Sequence, residues 1–192
     1  RDNEYIPQVS KKLIECILKD LEGNNNNIKN NTLKILPTLA KVYPEGIIDS
    51  FDTLKKGIDK ACFDSNENTI IFLGLLKTLF QNNDIDDDNY KAIYPTIIEY
   101  LKKGIANPYY KVSTAAIETS GILFEILYQD EEINKPFIME LYNDILPKFK
   151  AQDIDFEIKV ATTNTIAKFI CECGILLNEN ELKELFNIYI SK

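Results

Sequence analysis

The sequence predicts an all-α protein, a solenoid of antiparallel helix pairs wound as a right-handed superhelix. Three observations predict it. Apolar residues recur at i, i+3, i+4 and i+7 through most of the 192 residues, the mark of helices that bury one face. No run shows strand alternation bounded by hairpin turns. The second helix of each pair also begins at a regular interval, Ile28, Ile70, Val112 and Ile158 being separated by 42, 42 and 46 residues.

Taken in order, the pairs cover about residues 5–43, 46–81, 88–128 and 136–174, with a cut-off fifth from 179. In the first, Tyr5–Leu21 and Ile28–Tyr43 flank a polar break made of Gly23 and Asn24–Asn27, and Pro44 stops the second helix. In the second, Gly46–Phe63 carries the stripe Ile47, Phe51, Leu54, Ile58, Ala61, Cys62, and Glu67–Gln81 is apolar nearly all round. A helix packed on several sides has that composition. The third pair, Asp88–Ala106 and Pro108–Tyr128, is split at Asn107-Pro108, a proline suited to a first helical turn. The fourth, Pro136–Ala151 and Asp155–Cys173, ends at Gly174, read as a C-cap. A last helix spans Glu179–Ile190. The whole reads as one repeat segment excerpted from a longer protein, since Arg1 stands where an initiator Met would and the chain stops inside a helical pattern.

The interval falls within the roughly 40–47 residues of HEAT and armadillo repeats, whose units cannot bury their apolar faces alone and so stack. Pro95 and Pro147 sit at comparable points of their first helices, as in the bent first helix of many HEAT units. The opening Asp155-Phe-Glu-Ile-Lys-Val-Ala resembles the HEAT pattern of Asp, Val, a basic residue and Ala. A three-helix armadillo unit is the alternative.

Composition narrows function. Net charge is -8, and Arg1 is the only arginine, so the clustered guanidinium groups that grip phosphate backbones are missing. A basic protein surface suits this chain better than nucleic acid. The longest apolar run, near Thr69–Phe80, is too short for a bilayer and carries Lys77. There is no histidine, which removes Ser-His and Cys-His nucleophiles and imidazole metal ligands, and no glycine-rich phosphate loop. We therefore expect no enzyme activity, no cofactor, no metal and no small-molecule substrate. Cys16, Cys62, Cys171 and Cys173 show no CxxC spacing and read as reduced, mostly buried thiols. Asp84-x-Asp86-x-Asp88, with Asp87, resembles the start of a calcium loop. Asn89 replaces its turn glycine and Pro95 its closing glutamate, so it reads as a solvated acidic loop. Gly74 and Gly121 are expected to permit close helix contact.

The candidate partner-binding residues lie near the starts of the second helices: Tyr109, Lys111, Glu118, Asp153, Asp155, Glu157 and Lys159. Exposed aromatics anchor partners, although more often at least one of a pair such as Tyr109 and Tyr110 packs on the neighbouring repeat. Asp153, Asp155 and Glu157 form an acidic ridge able to steer a basic surface. The bland reading is that most of these groups are simply solvated, with Asp155 capping a helix.

Three stretches carry a family resemblance. Lys150-Ala-Gln-Asp-Ile-Asp-Phe-Glu-Ile-Lys159, followed by Ile170-Cys-Glu-Cys-Gly174, resembles the CAND family, the cullin-associated, neddylation-dissociated proteins. Asn107-Pro-Tyr-Tyr-Lys-Val-Ser-Thr-Ala-Ala116 and Leu36-Pro-Thr-Leu-Ala-Lys-Val-Tyr-Pro44 resemble the same region in the same order. The Asn-rich turn, the 84–88 loop and Pro37 depart from it. The resemblance implies a cytoplasmic and nuclear HEAT scaffold that wraps an unneddylated cullin–RING ligase core and promotes exchange of substrate receptors. This stretch would be a middle part of its N-terminal half. The rival is another HEAT scaffold, such as a nuclear transport receptor or phosphatase scaffold.

Overall fold

The computed structural model describes residues 5–63, 65–81 and 88–191. They form α1 (Tyr5–Glu22), α2 (Asn26–Val42), α3 (Pro44–Asp49), α4 (Phe51–Ala61), α5 (Asn66–Gln81), α6 (Asp88–Ile105), α7 (Tyr110–Tyr128), α8 (Glu131–Lys150), α9 (Phe156–Cys173), a 3-10 turn (Gly174–Leu176) and α10 (Glu179–Ser191). No strand occurs among the described residues. The all-α helical-repeat class predicted from periodicity is the observed one. Two compact units divide the chain, Arg1–Tyr94 and Pro95–Lys192.

In the first unit α1 packs on α2 and α4, and α2 packs on α5. The Asn-rich break supplies a cap: the Asn25 side chain accepts from the Asn27 and Ile28 amides, at 3.0 and 3.3 Å, and α2 begins there. Leu33, Leu36 and Ala40 give α2 its buried face, and the helix runs through Pro37. One helix was expected over 46–63. The chain instead starts helical structure at Pro44, which fits a first turn because it has no amide to satisfy, and breaks at Ser50 into α3 and α4. The Ser50 carbonyl accepts the Thr53 and Leu54 amides and so starts the second helix afresh. α4 lies close to α1. A Cβ at Gly57 would come 2.5 Å from the Leu21 Cβ, so only glycine fits the present spacing. Gly74, expected to serve a close contact, has open space around it; Gly121 does serve one.

Hydroxyl and amide side chains tie helices together across their turns. Thr69 donates to the Cys62 carbonyl at 2.8 Å and Asn68 to the Ala61 carbonyl at 2.8 Å, latching α5 onto the end of α4. Asn134 does the same from α8 to the Leu127 carbonyl, and Ser113 from α7 to Ile105, at 3.1 and 3.0 Å. Each satisfies a last-turn carbonyl that has no partner within its own helix.

In the second unit α7 and α9 lie side by side, with α8 against both. Thr165 donates to the Ile117 carbonyl at 3.2 Å, and a Cβ on Gly121 would meet that hydroxyl at 3.1 Å. Phe124 meets Phe169 edge-on at 5.1 Å, and Phe169 stacks on Tyr142 of α8 at 4.3 Å. Such pairs add about 0.5–1.5 kcal/mol beyond area burial. α8 starts at Glu131, five residues before the expected Pro136, because the Asp130 carbonyl accepts the Ile133 and Asn134 amides and opens a turn that the proline then continues. Gly174 takes the C-cap position of α9, as expected, and its right-handed dihedrals lead into the 3-10 turn. All four cysteines are unpaired. Cys62 and Cys173 are buried, but Cys16 and Cys171 are exposed, against the expectation of mostly buried thiols. Both lie off the apolar stripe of their helix.

Candidate partner-binding surface

The starts of α7 and α9 carry the candidate residues. Ahead of α7, the Asn107 side chain accepts the Tyr109 amide at 2.8 Å, and the Tyr109 carbonyl accepts the Val112 and Ser113 amides. The helix begins at Tyr110, so Pro108 precedes the first turn instead of occupying it. This turn presents Tyr109 and Tyr110 half-buried, their rings edge-to-face at 5.4 Å. The Lys111 ammonium lies 5.7 Å from the Tyr110 ring centre, a cation–π arrangement. Tyr110 first, then Tyr109, and more weakly Glu157 push the Lys111 pKa up. Tyr109, Lys111 and Glu157 therefore share one neighbourhood at the joined starts of α7 and α9.

At α9 the Asp155 carboxylate accepts the Glu157 amide at 2.9 Å, capping the helix where its positive end begins. Asp153, Asp155 and Glu157 are all exposed, whereas Lys159 is half-buried. Glu118, exposed on α7, lies two turns beyond Lys111 on the same stripe. Nothing brings Asp153 against another candidate. The ridge is thus one capping carboxylate flanked by two solvated ones, with a lysine and two tyrosines beside it.

Two side chains escaped the sequence reading. Phe156, the first residue of α9, is 76% exposed, and Val160, one turn on, is 42% exposed. The signal was available: the buried stripe Ile158, Ala161, Thr165, Phe169 leaves both on the opposite face. Among the described residues no group of three or more Cys, Asp and Glu side chains is placed to hold a metal. The aspartates at 84, 86 and 87 lie outside the described residues, and Asp88 opens α6. No described helix is long and apolar enough to cross a membrane.

Ion pairs mark the neighbouring first helices. Lys102 of α6 meets Glu140 of α8 at 3.0 Å, and Lys150 of α8 meets Glu184 of α10 at 2.6 Å. Both pairs are substantially exposed, and such bridges contribute at most about 1 kcal/mol each.

No family model matches the chain. It is 24% identical over 195 aligned residues to Cullin-associated NEDD8-dissociated protein 1 of Dictyostelium discoideum, covering 98% of this chain and 15% of that protein. It is also 24% identical over 177 residues to the protein of the same name from Arabidopsis thaliana, covering 88% and 14%. The chain thus spans about one-seventh of the length of these relatives. The CAND resemblance seen in three short stretches extends along nearly the whole chain.

Proposed function

We propose that this CAND-like helical-repeat segment belongs to a protein-binding scaffold that wraps an unneddylated cullin–RING ligase core and promotes exchange of its substrate receptors. The observation that supports this best is the end-to-end similarity to two proteins named for cullin association and NEDD8 dissociation. The action is steric: a stack of helix pairs encloses one partner and competes with another, and the scaffold itself makes or breaks no bond. Contact falls on Tyr109, Lys111, Glu118, Asp153, Asp155, Glu157 and Lys159, with the carboxylates steering a basic cullin surface. The place of action is the cytoplasm and nucleus, where unpaired thiols such as the exposed Cys16 and Cys171 stay reduced.

The test is association kinetics on an immobilised cullin–RING core at low salt, with unneddylated and neddylated cores compared. The chain should bind the unneddylated core, and Asp153→Lys with Glu157→Lys and Asp155→Asn should slow association about tenfold and flatten its salt dependence. Asparagine keeps the helix cap. Absence of binding to the unneddylated core ends the cullin reading. Binding with unchanged kinetics in the triple variant ends the role of the ridge.

A further inference from the structure

The second unit is packed unequally on its two sides. Along the second helices, the joint between α7 and α9 is close. Thr165 donates to the Ile117 carbonyl at 3.2 Å, the Cys173 thiol lies 3.6 Å from the Phe124 carbonyl, and Ile117, Phe124 and Phe169 are fully buried. A Cβ at Gly121 would already press on Thr165. Packing of this density resists separation, because parting it exposes apolar surface to water.

Between the first helices the packing is open. α6 and α8 leave a groove of about 370 Å³, lined by Pro95, Ile98, Lys102, Phe137 and Glu140 among others. Pro95 has no amide to donate, so its turn of α6 is one backbone hydrogen bond short. Lys102 of α6 crosses to Glu140 of α8 at 3.0 Å. That hydrogen bond, and then the charges of Glu140 and Asp144, push the Lys102 pKa up. Two carboxylates one turn apart on α8 thus face one ammonium on α6. The arrangement recurs one first helix on, where Lys150 of α8 meets Glu184 of α10 at 2.6 Å. Each hairpin is also fastened within itself. Ser113 ties α7 to the last turn of α6, and Phe169 of α9 stacks on Tyr142 of α8.

We propose that these two hairpins open and close like the covers of a book about the α7–α9 seam, with Lys102, Glu140 and Asp144 as an electrostatic clasp at the outer edge. The clasp is exposed to water, so salt screens it, whereas salt leaves the apolar seam in place. Ionic strength then sets the angle between consecutive helix pairs, and so does any charged partner that competes for Lys102 or its carboxylates. An exposed pair of this kind shifts a two-state ratio by up to about fivefold, which tunes an angle without unfolding a helix. The device does not depend on the cullin reading.

Distance measurement by electron spin resonance on the 192-residue chain tests it, in a background of Cys16→Ser and Cys171→Ser because those two thiols are exposed. One pair of nitroxides spans the outer edge at Lys103→Cys and Asn143→Cys, and another spans the seam at Glu118→Cys and Asn164→Cys, all exposed positions. At about 1 M salt, where charges are screened beyond about 3 Å, a longer outer distance should grow by up to about fivefold relative to the short one. Glu140→Gln with Asp144→Asn should give that longer distance at low salt and remove the salt response. The seam distance should stay constant throughout. Circular dichroism checks that the helices are intact, and the salt series on the parent stands even where the variant fails to fold. An outer distance that ignores both salt and the variant overturns the clasp. A seam distance that moves with the outer one overturns the pivot.

Discussion

The close approach of α1 and α4 makes opposite predictions for one substitution at two sites. Glycine to alanine inside a helix is ordinarily stabilising by about 1 kcal/mol, through backbone entropy. At Gly74 the new methyl meets nothing within 4 Å, so the full gain should appear. At Gly57 it would arrive 2.5 Å from the Leu21 Cβ, an atom fixed to the α1 backbone that no rotamer change can move aside. Leu21 is fully buried, so α1 itself must shift. Overpacking of this kind costs about 1–3 kcal/mol, which cancels or exceeds the helix gain and leaves Gly57→Ala roughly 0–2 kcal/mol less stable than the parent. The variants should therefore differ by about 1–3 kcal/mol, or roughly 2–12 °C in melting temperature for a chain of this size. Both sites lie in the Arg1–Tyr94 unit, so the same unfolding transition reports both. Thermal and urea unfolding followed by circular dichroism is the assay. If Gly57→Ala matches Gly74→Ala or exceeds it, the packing argument for α1 and α4 is wrong.

Thr69→Val keeps the shape of the side chain but removes the hydroxyl that reaches the Cys62 carbonyl, and should lower stability by about 1–2 kcal/mol; an unchanged urea midpoint would show the latch to be idle. In the native chain a thiol reagent should label Cys16 and Cys171 quickly and reach Cys62 and Cys173 only after denaturant is added. Four equally fast thiols would contradict the burial. Burial, aided by Asp59 at Cys62 and by Glu172 and Glu131 at Cys173, pushes both buried thiols up to about 12. Unfolded thiols ionise near ~8.5, so this contribution to stability is whole below that pH and is lost as pH rises through about 12. The urea midpoint should fall across that window, and less steeply in Cys62→Ala; equal slopes would refute the assignment.

The helices were legible because stripes such as Ile158, Ala161, Thr165, Phe169 repeat with the helical period and the period of the pairs repeats above it. Breaks set by backbone hydrogen bonding were not legible. Nothing in the side chain of Ser50 announces that its carbonyl ends one helix and starts the next. The start of α8 was placed at Pro136, while the turn that opens the helix is made by the Asp130 backbone, which side-chain patterning does not show. Glycine roles divide on what faces them across space, which is why Gly57, Gly74 and Gly121 differ although each is a single glycine inside a helix. At the candidate surface, the cap formed by Asp155 followed from residue type and position. The company that Glu157 keeps with Lys111 did not, because it depends on how α7 and α9 lie beside each other. Phe156 was passed over because an apolar residue in an apolar pattern is assumed buried until its angle around the helix is checked.

The latches from Thr69, Asn68, Ser113 and Asn134 join residues only seven or eight positions apart. Such links form with little loop-closure entropy, so a hairpin can fasten its own turn before any distant contact exists. The contact between α7 and α9 through Thr165 and Ile117 spans 48 positions and must wait for the helix between them. Folding in this chain is therefore local first: hairpins close individually, and the side-by-side packing of second helices comes as a later, separable step.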